Sequence, residues 1–271
     1  MKRRTKCCLS IILFVLPLSA AEDWRLLTEQ MYGPDQERSA EARKQSFSAL
    51  ERLAKGSAED ISKELPQFLR LLDDERELFR QQGSGALAAL AMFRVDGLTA
   101  LQGAIPTFLS QFTNKETRIR ENGVRSIAVI RPHPPLEALD SLKALLEPTE
   151  SQPALATLSV IGLMRLAPRL PQAEAAVVSA LKREERPDRL QPLLAGIGAM
   201  NSTAGPELIS LLAGMVGSGN DDVANWATIS LQNVGQAARA AAPIFQKIAD
   251  DPDQSEARRQ KAKTLLDRLR R

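Results

Sequence analysis

The sequence predicts an all-α chain stacked as an α-solenoid, a superhelix of about seven antiparallel helix pairs, and three observations lead there. The first is a recurring segment, clearest at 79–87 (Phe-Arg-Gln-Gln-Gly-Ser-Gly-Ala-Leu) and at 119–127 (Ile-Arg-Glu-Asn-Gly-Val-Arg-Ser-Ile). In each copy a bulky residue precedes an Arg, a small residue follows it by three and an aliphatic by seven, and these positions share one face of a 3.6-residue turn. The second is the period. The repeat point falls at Arg43, Arg80, Arg120, Pro153, Leu190, Ala224 and Arg259, with spacings of 33 to 40 residues, the length of a helix-pair unit in a stacked array. The third is the absence of any useful run of alternating apolar and polar residues that would make a strand.

Taken in order, residues 1–21 stand apart. Lys2, Arg3, Arg4 and Lys6 lead into the apolar run Cys7–Leu18, and Ser19-Ala20-Ala21 supplies small residues. This is the three-part pattern of a secretory signal, cleaved after Ala21, and the run is shorter than the roughly 17 to 25 residues of a membrane helix. An exported protein, periplasmic or extracellular, with no stable membrane span after cleavage is expected. Cleavage removes four of the 36 Lys and Arg and none of the 33 Asp and Glu. The remaining 250 residues therefore carry a net charge of −1, so the general pull on nucleic acid is missing and no nucleic-acid partner is expected. Cys7 and Cys8 leave too, which excludes a disulfide or a Cys-ligated metal in the mature chain.

In the mature chain, 22–271, Trp24–Met31 and the helix around Arg43 form a first pair ending at Gly56, a capping pair over about 22–56. The clearest first helices after it are Leu65–Leu72 with Pro66 in its first turn, Ile105–Phe112 with Pro106, Leu139–Leu146, Pro206–Leu212 and Pro243–Ile248. A proline is tolerated in a first turn because its missing N–H had no helical partner there. The links to the second helices are polar and turn-forming: Asp73-Asp74-Glu75, Thr113-Asn114-Lys115, Glu147-Pro148-Thr149, 217–222 and Asp250-Asp251-Pro252-Asp253. The second helices carry Ser46, Gly83, Gly123, Ala156, Ala227 and Ala262 at the small position, where another helix can approach closely; Leu193 breaks the rule in the fifth. Both end units are highly charged, as caps over which nothing stacks, the last covering about 241–271.

The segment Asp250-Asp251-Pro252-Asp253, followed by Glu256-Ala257-Arg258-Arg259, Ala262 and Leu265-Leu266, resembles the HEAT repeat and its exported bacterial HEAT-like relatives, a resemblance that covers the mature chain. It implies that turn acids and the second-helix arginines Arg43, Arg80, Arg120 and Arg259 tie neighbouring repeats together. Pro153, Leu190 and Ala224 depart from this pattern.

Chemistry-bearing constellations are scarce. The single histidine, His133, sits in Arg-Pro-His-Pro-Pro and reads as an exposed linker residue, without the spacing of a metal site. Asp250, Asp251, Asp253 and Glu256 suggest either calcium or helix-start capping, and capping is the simpler account; Asn220-Asp221-Asp222 reads the same way. The basic stretch 254–271 reads as a solvated cap. No cofactor is expected, and an enzyme is not. The informative contrast lies between the second helices. Positions one, two, four and five after the repeat point are mostly polar in repeats one to three, with Lys44, Gln45, Gln81, Gln82, Glu121, Asn122 and Arg125. In repeats four to six they include Leu155, Leu158, Leu194, Trp226 and Ile229. Because HEAT-like stacks line a concave side with second helices, Leu155, Leu158, Leu194, Trp226 and Ile229, flanked by Asn122 and Arg125, are the candidate protein-binding residues. Lateral packing between repeats would account for the same residues. The expected function is an exported, non-catalytic scaffold or adaptor for a protein or peptide of the cell envelope. The alternatives are an enzyme or enzyme accessory of the HEAT-like lyase type and a self-associating envelope component.

Overall fold

The computed structural model describes residues 23–148, 152–199 and 204–270, so residues 1–21, where a signal is expected, lie outside it. Its helices fall into seven consecutive pairs: α1 (Trp24–Met31) with α2 (Gln36–Lys55), α3 (Ala58–Leu72) with α4 (Glu77–Phe93), then α5 (Gly97–Ala100) and α6 (Ile105–Ser110) with α7 (Thr117–Val129). The remaining pairs are α8 (Leu139–Ala144) with α9 (Pro153–Leu166), α10 (Pro171–Arg183) with α11 (Pro187–Gly198), α12 (Pro206–Val216) with α13 (Asp221–Val234), and α14 (Ala242–Asp250) with α15 (Glu256–Arg270). Short 3₁₀ turns lead into α6, α8 and α14 and one continues α6, and there is no strand among the described residues. Every repeat point lies in a second helix, so the all-α stack of about seven pairs is what the chain forms.

Local chemistry sets the helix starts. The Asp35 carboxylate accepts from the amides of Glu37 and Arg38, and Asn220 accepts from those of Asp222 and Val223, satisfying donors that the first turn leaves open. Pro153, Pro171, Pro187 and Pro206 begin α9, α10, α11 and α12. Pro66 is a correction: it lies inside α3, which begins seven residues before Leu65, at Ala58. The cause is a capping box, in which the Ser57 side chain accepts from the Asp60 amide and the Asp60 carboxylate accepts from the Ser57 amide.

The small residues mark close helix approaches. A Cβ added at Gly83 would meet Leu71 Cβ at 2.8 Å and the Phe68 carbonyl oxygen at 2.9 Å, and one at Gly123 would meet Gln111 Cβ at 2.5 Å. In both pairs the first helix thus lies directly on the glycine of the second. In the fifth pair Leu193 fills that place, and α10 leans on α9 while barely touching α11. There the close approach has moved to Gly196, where a Cβ would meet the Thr157 carbonyl oxygen and Val160 Cβ of α9, each at 2.7 Å.

One hydrophobic core runs from Trp24 to Leu266 through every pair. Trp24 opens it, with its ring 4.6 Å from that of Phe68 and its indole N–H donated to Glu64 at 2.8 Å. Each buried Leu, Ile or Phe contributes about 1.5–3 kcal/mol to holding the stack. The second helices α4, α7, α9, α11 and α13 pack side by side in unbroken succession. The last pair differs: α15 packs on α14 and on the 3₁₀ turn at 235–241 rather than broadly on α13, to which Lys261 ties it by a hydrogen bond to Asn225.

Candidate interaction face

Arginines stitch the repeats, as the resemblance implies, but not always at the repeat point. Arg80 donates to the carbonyls of Asp74 and Glu75 in its own turn, both at 2.7 Å, and pairs with Glu116 of the next repeat at 2.6 Å. The acceptor there is a glutamate rather than an aspartate. Among the described residues Arg43 reaches only Met31 of its own pair, and the Nε of Arg259 is buried with no hydrogen-bond partner. Where Leu190 interrupts the pattern, its neighbour Arg189 does the same work: it donates to the carbonyls of Glu147 and Pro148 in the preceding repeat and pairs with Glu184 at 2.9 Å. A basic residue one place before the repeat point was the available signal.

On the opposite edge, where second helices end, Arg94 donates to the Leu53 and Gly56 carbonyls of α2 and its neighbouring link. Arg165 donates to the carbonyls of Ala128, Ile130 and Pro132 at and beyond the end of α7. Terminal carbonyls lack helical partners and carry partial negative charge, so a guanidinium satisfies both needs. The hydrogen bonds from Arg94 hold the Asp96 carboxyl below its ordinary value. Burial, with the Arg131 charge nearby, pulls Arg165 below the usual guanidinium value. His133 is half-buried rather than exposed, because Arg169 reaches it from 36 residues on, with Nη1 2.6 Å from Nε2. An arginine always donates, so this contact requires an imidazole nitrogen with a free lone pair.

The packed second helices enclose one another on two sides, and this decides which candidate residues reach solvent. Leu155 and Leu194 are fully buried, at 0% exposure; they correct the sequence-based expectation, since they pack laterally in the core and offer nothing to a partner. Leu158 and Trp226 are half-buried with one side against the core, and Ile229 is exposed at 40%. Asn122 and Arg125 are half-exposed, and Asn122 lies beside Gly85 of α4, its Nδ2 3.9 Å from where a Cβ would stand.

Two rows of equivalent positions remain uncovered. Five residues after the repeat point stand Gly85, Arg125, Leu158, Ala195 and Ile229; one residue after it stand Gln81, Glu121, Ala154, Gln191 and Asn225, and all ten are half-exposed or exposed. Positions one and five are a helical turn apart, so the rows form one face. It is polar and charged over α4 and α7 and turns apolar over α9 and α13, where Ile161 and Trp226 extend it. Ile161 is an apolar member that the repeat reading passed over; the 68%-exposed Phe47 on α2 is also bare, but it stands at the position buried as Val124 in α7 and Leu194 in α11, outside the two rows. Phe47 stands four residues after Arg43, where an isolated aromatic among charged neighbours was the signal. Asp251 accepts from the Asp253 amide within its own turn, and Ser255 caps the helix that follows. Asp250 instead closes α14, accepting from the Gln246 side chain. No described helix is long and apolar enough to cross a membrane.

No family model matches this sequence, and no curated protein does. Among solved structures it is similar to an engineered protein from a structural genomics consortium, with 18% identity over 79% of this chain and 99% of that one and a TM-score of 0.48. It is also similar to a designed armadillo repeat protein in complex with the peptide (KR)4, with 19% identity over 92% of this chain and all of that one and a TM-score of 0.44.

Proposed function

We propose that the mature chain is an exported, non-catalytic scaffold or adaptor of the HEAT-like type, which holds an extended protein or peptide segment of the cell envelope across its second-helix face. The observation that carries this reading is the pair of uncovered rows running over five consecutively packed helices. Such a face gains affinity by many small contacts along one partner. Its change in character orients that partner: a polar or acidic stretch faces Asn122 and Arg125, and an apolar stretch faces Leu158, Trp226 and Ile229. Trp is a favoured anchor at the energetic centre of an interface.

The test is capture from an envelope extract by the tagged mature protein beside its Trp226→Ser/Ile229→Ser variant. One stoichiometric partner, lost in the variant while helicity is unchanged, supports the reading. Equal capture by both, or none, overturns it. N-terminal sequencing of the periplasmic material tests the export step: a chain beginning at Glu22 is expected, and an unprocessed cytoplasmic chain would sink it.

A further inference from the structure

We propose that the edge where second helices end, across repeats two to four, docks on an anionic phospholipid surface. Three consecutive links are joined there. The Leu98 amide donates to the Arg131 carbonyl at 2.7 Å, and a Cβ on Gly97 would stand 3.2 Å from Ile130 Cγ1, so the link at 94–97 lies against the one at 130–135. Arg165 and Arg169 then bind that second link from the end of α9, through Pro132 and His133.

The two links and the end of α9 hold four arginines, Arg94, Arg131, Arg165 and Arg169, against one acid, Asp96. Arginines at other junctions have carboxylate partners, Arg80 with Glu116, Arg183 with Glu147 and Arg189 with Glu184, and on this edge Arg94 is matched by Asp96. Among the described residues, no carboxylate pairs with Arg131, Arg165 or Arg169. Arg165 is spent on carbonyls, but Arg131 and Arg169 are exposed. At the end of α4 and on the link that lies against theirs, Phe93 is 64% exposed and Val95 74%. Bare apolar side chains next to unmatched cations fit the boundary between headgroups and acyl chains, where the former insert and the latter meet phosphates. A lipid surface also needs no shaped groove, only such a row. The edge is distinct from the helix face proposed for the protein partner, and its variants leave that face untouched.

Vesicle co-sedimentation of the purified protein tests the proposal, with equal parts phosphatidylglycerol and phosphatidylcholine against phosphatidylcholine alone. Binding to the anionic vesicles only is expected. It should fall by at least about tenfold for Arg131→Glu/Arg169→Glu, since each cation near an anionic surface adds substantially to the partition. It should weaken several-fold for Phe93→Ser/Val95→Ser and persist in Arg131→Lys/Arg169→Lys, whose retained binding guards against misfolding as the cause. No sedimentation with anionic vesicles, or undiminished binding of the Glu variant, would overturn it. So would binding to soluble polyglutamate without binding to vesicles, which would assign the edge to an acidic protein.

Discussion

Arg80 and Glu116, 36 residues apart in sequence, close an ion pair of 2.6 Å across the junction of the second and third repeats, with both side chains about three-quarters covered. The same guanidinium holds two turn carbonyls, so one side chain fixes a turn and positions the next repeat on it. Replacing it by Ala leaves the largely covered Glu116 without its cation and frees the Asp74 and Glu75 carbonyls. Arg80→Ala is expected to destabilise the fold by about 2–4 kcal/mol, read from urea unfolding. Arg80→Lys should recover only part of this, because an ammonium cannot reproduce the forked geometry.

The glycine contacts predict opposite signs for one substitution. Gly83→Ala pushes a methyl into Leu71 and the Phe68 carbonyl, and overpacking of this kind costs about 1–3 kcal/mol. Gly214→Ala meets nothing within 4 Å in the interior of α12 and should stabilise by about 0.5–1 kcal/mol through helix propensity. Equal effects of the two on thermal unfolding would refute the close-approach account.

Acid sensitivity should appear at Arg94 and Asp96. The hydrogen bonds from Arg94 depress the Asp96 pKa in the folded state, so the stabilisation is fully present above the unfolded-state value and is lost as pH falls through the lower folded value. The window therefore lies below about pH 4. Asp96→Asn should flatten this part of the stability profile and leave that above pH 5, roughly, parallel to the parent.

Core and surface members of the apolar set should separate cleanly. Leu155→Ala and Leu194→Ala each remove a fully buried side chain and should cost about 2–5 kcal/mol. Ile229→Ser, at an exposed position, should change stability by roughly 0.5 kcal/mol or less while weakening partner capture. A large loss of stability in Ile229→Ser would remove it from the binding face.

The period, the pairing and the glycine approaches were legible because they depend on spacing along one helix. Gly83 and Gly123 stand three residues after an arginine for the reason the pattern suggests. The face was only half legible. Whether Leu155 or Leu158 meets solvent depends on how far each second helix is rotated against its two neighbours, and sequence spacing within one helix carries no information on that rotation. The start of α3 was written in Ser57 and Asp60, but the proline at 66 drew the boundary to itself. Arg189 escaped notice since it acts from one place before its expected position. His133 was read as free because its partner comes from a repeat later in the chain.

The looser seating of α15 gives the array an order of failure. Neighbouring repeats stabilise each other through their shared surfaces, and the final pair shares little with α13. Amide hydrogens of α14 and α15 will therefore exchange through openings that leave the inner helices shut. The chain unfolds first by peeling from its C-terminal end, and a partner that bridges α13 and α15 would close that seam and slow exchange there before anywhere else.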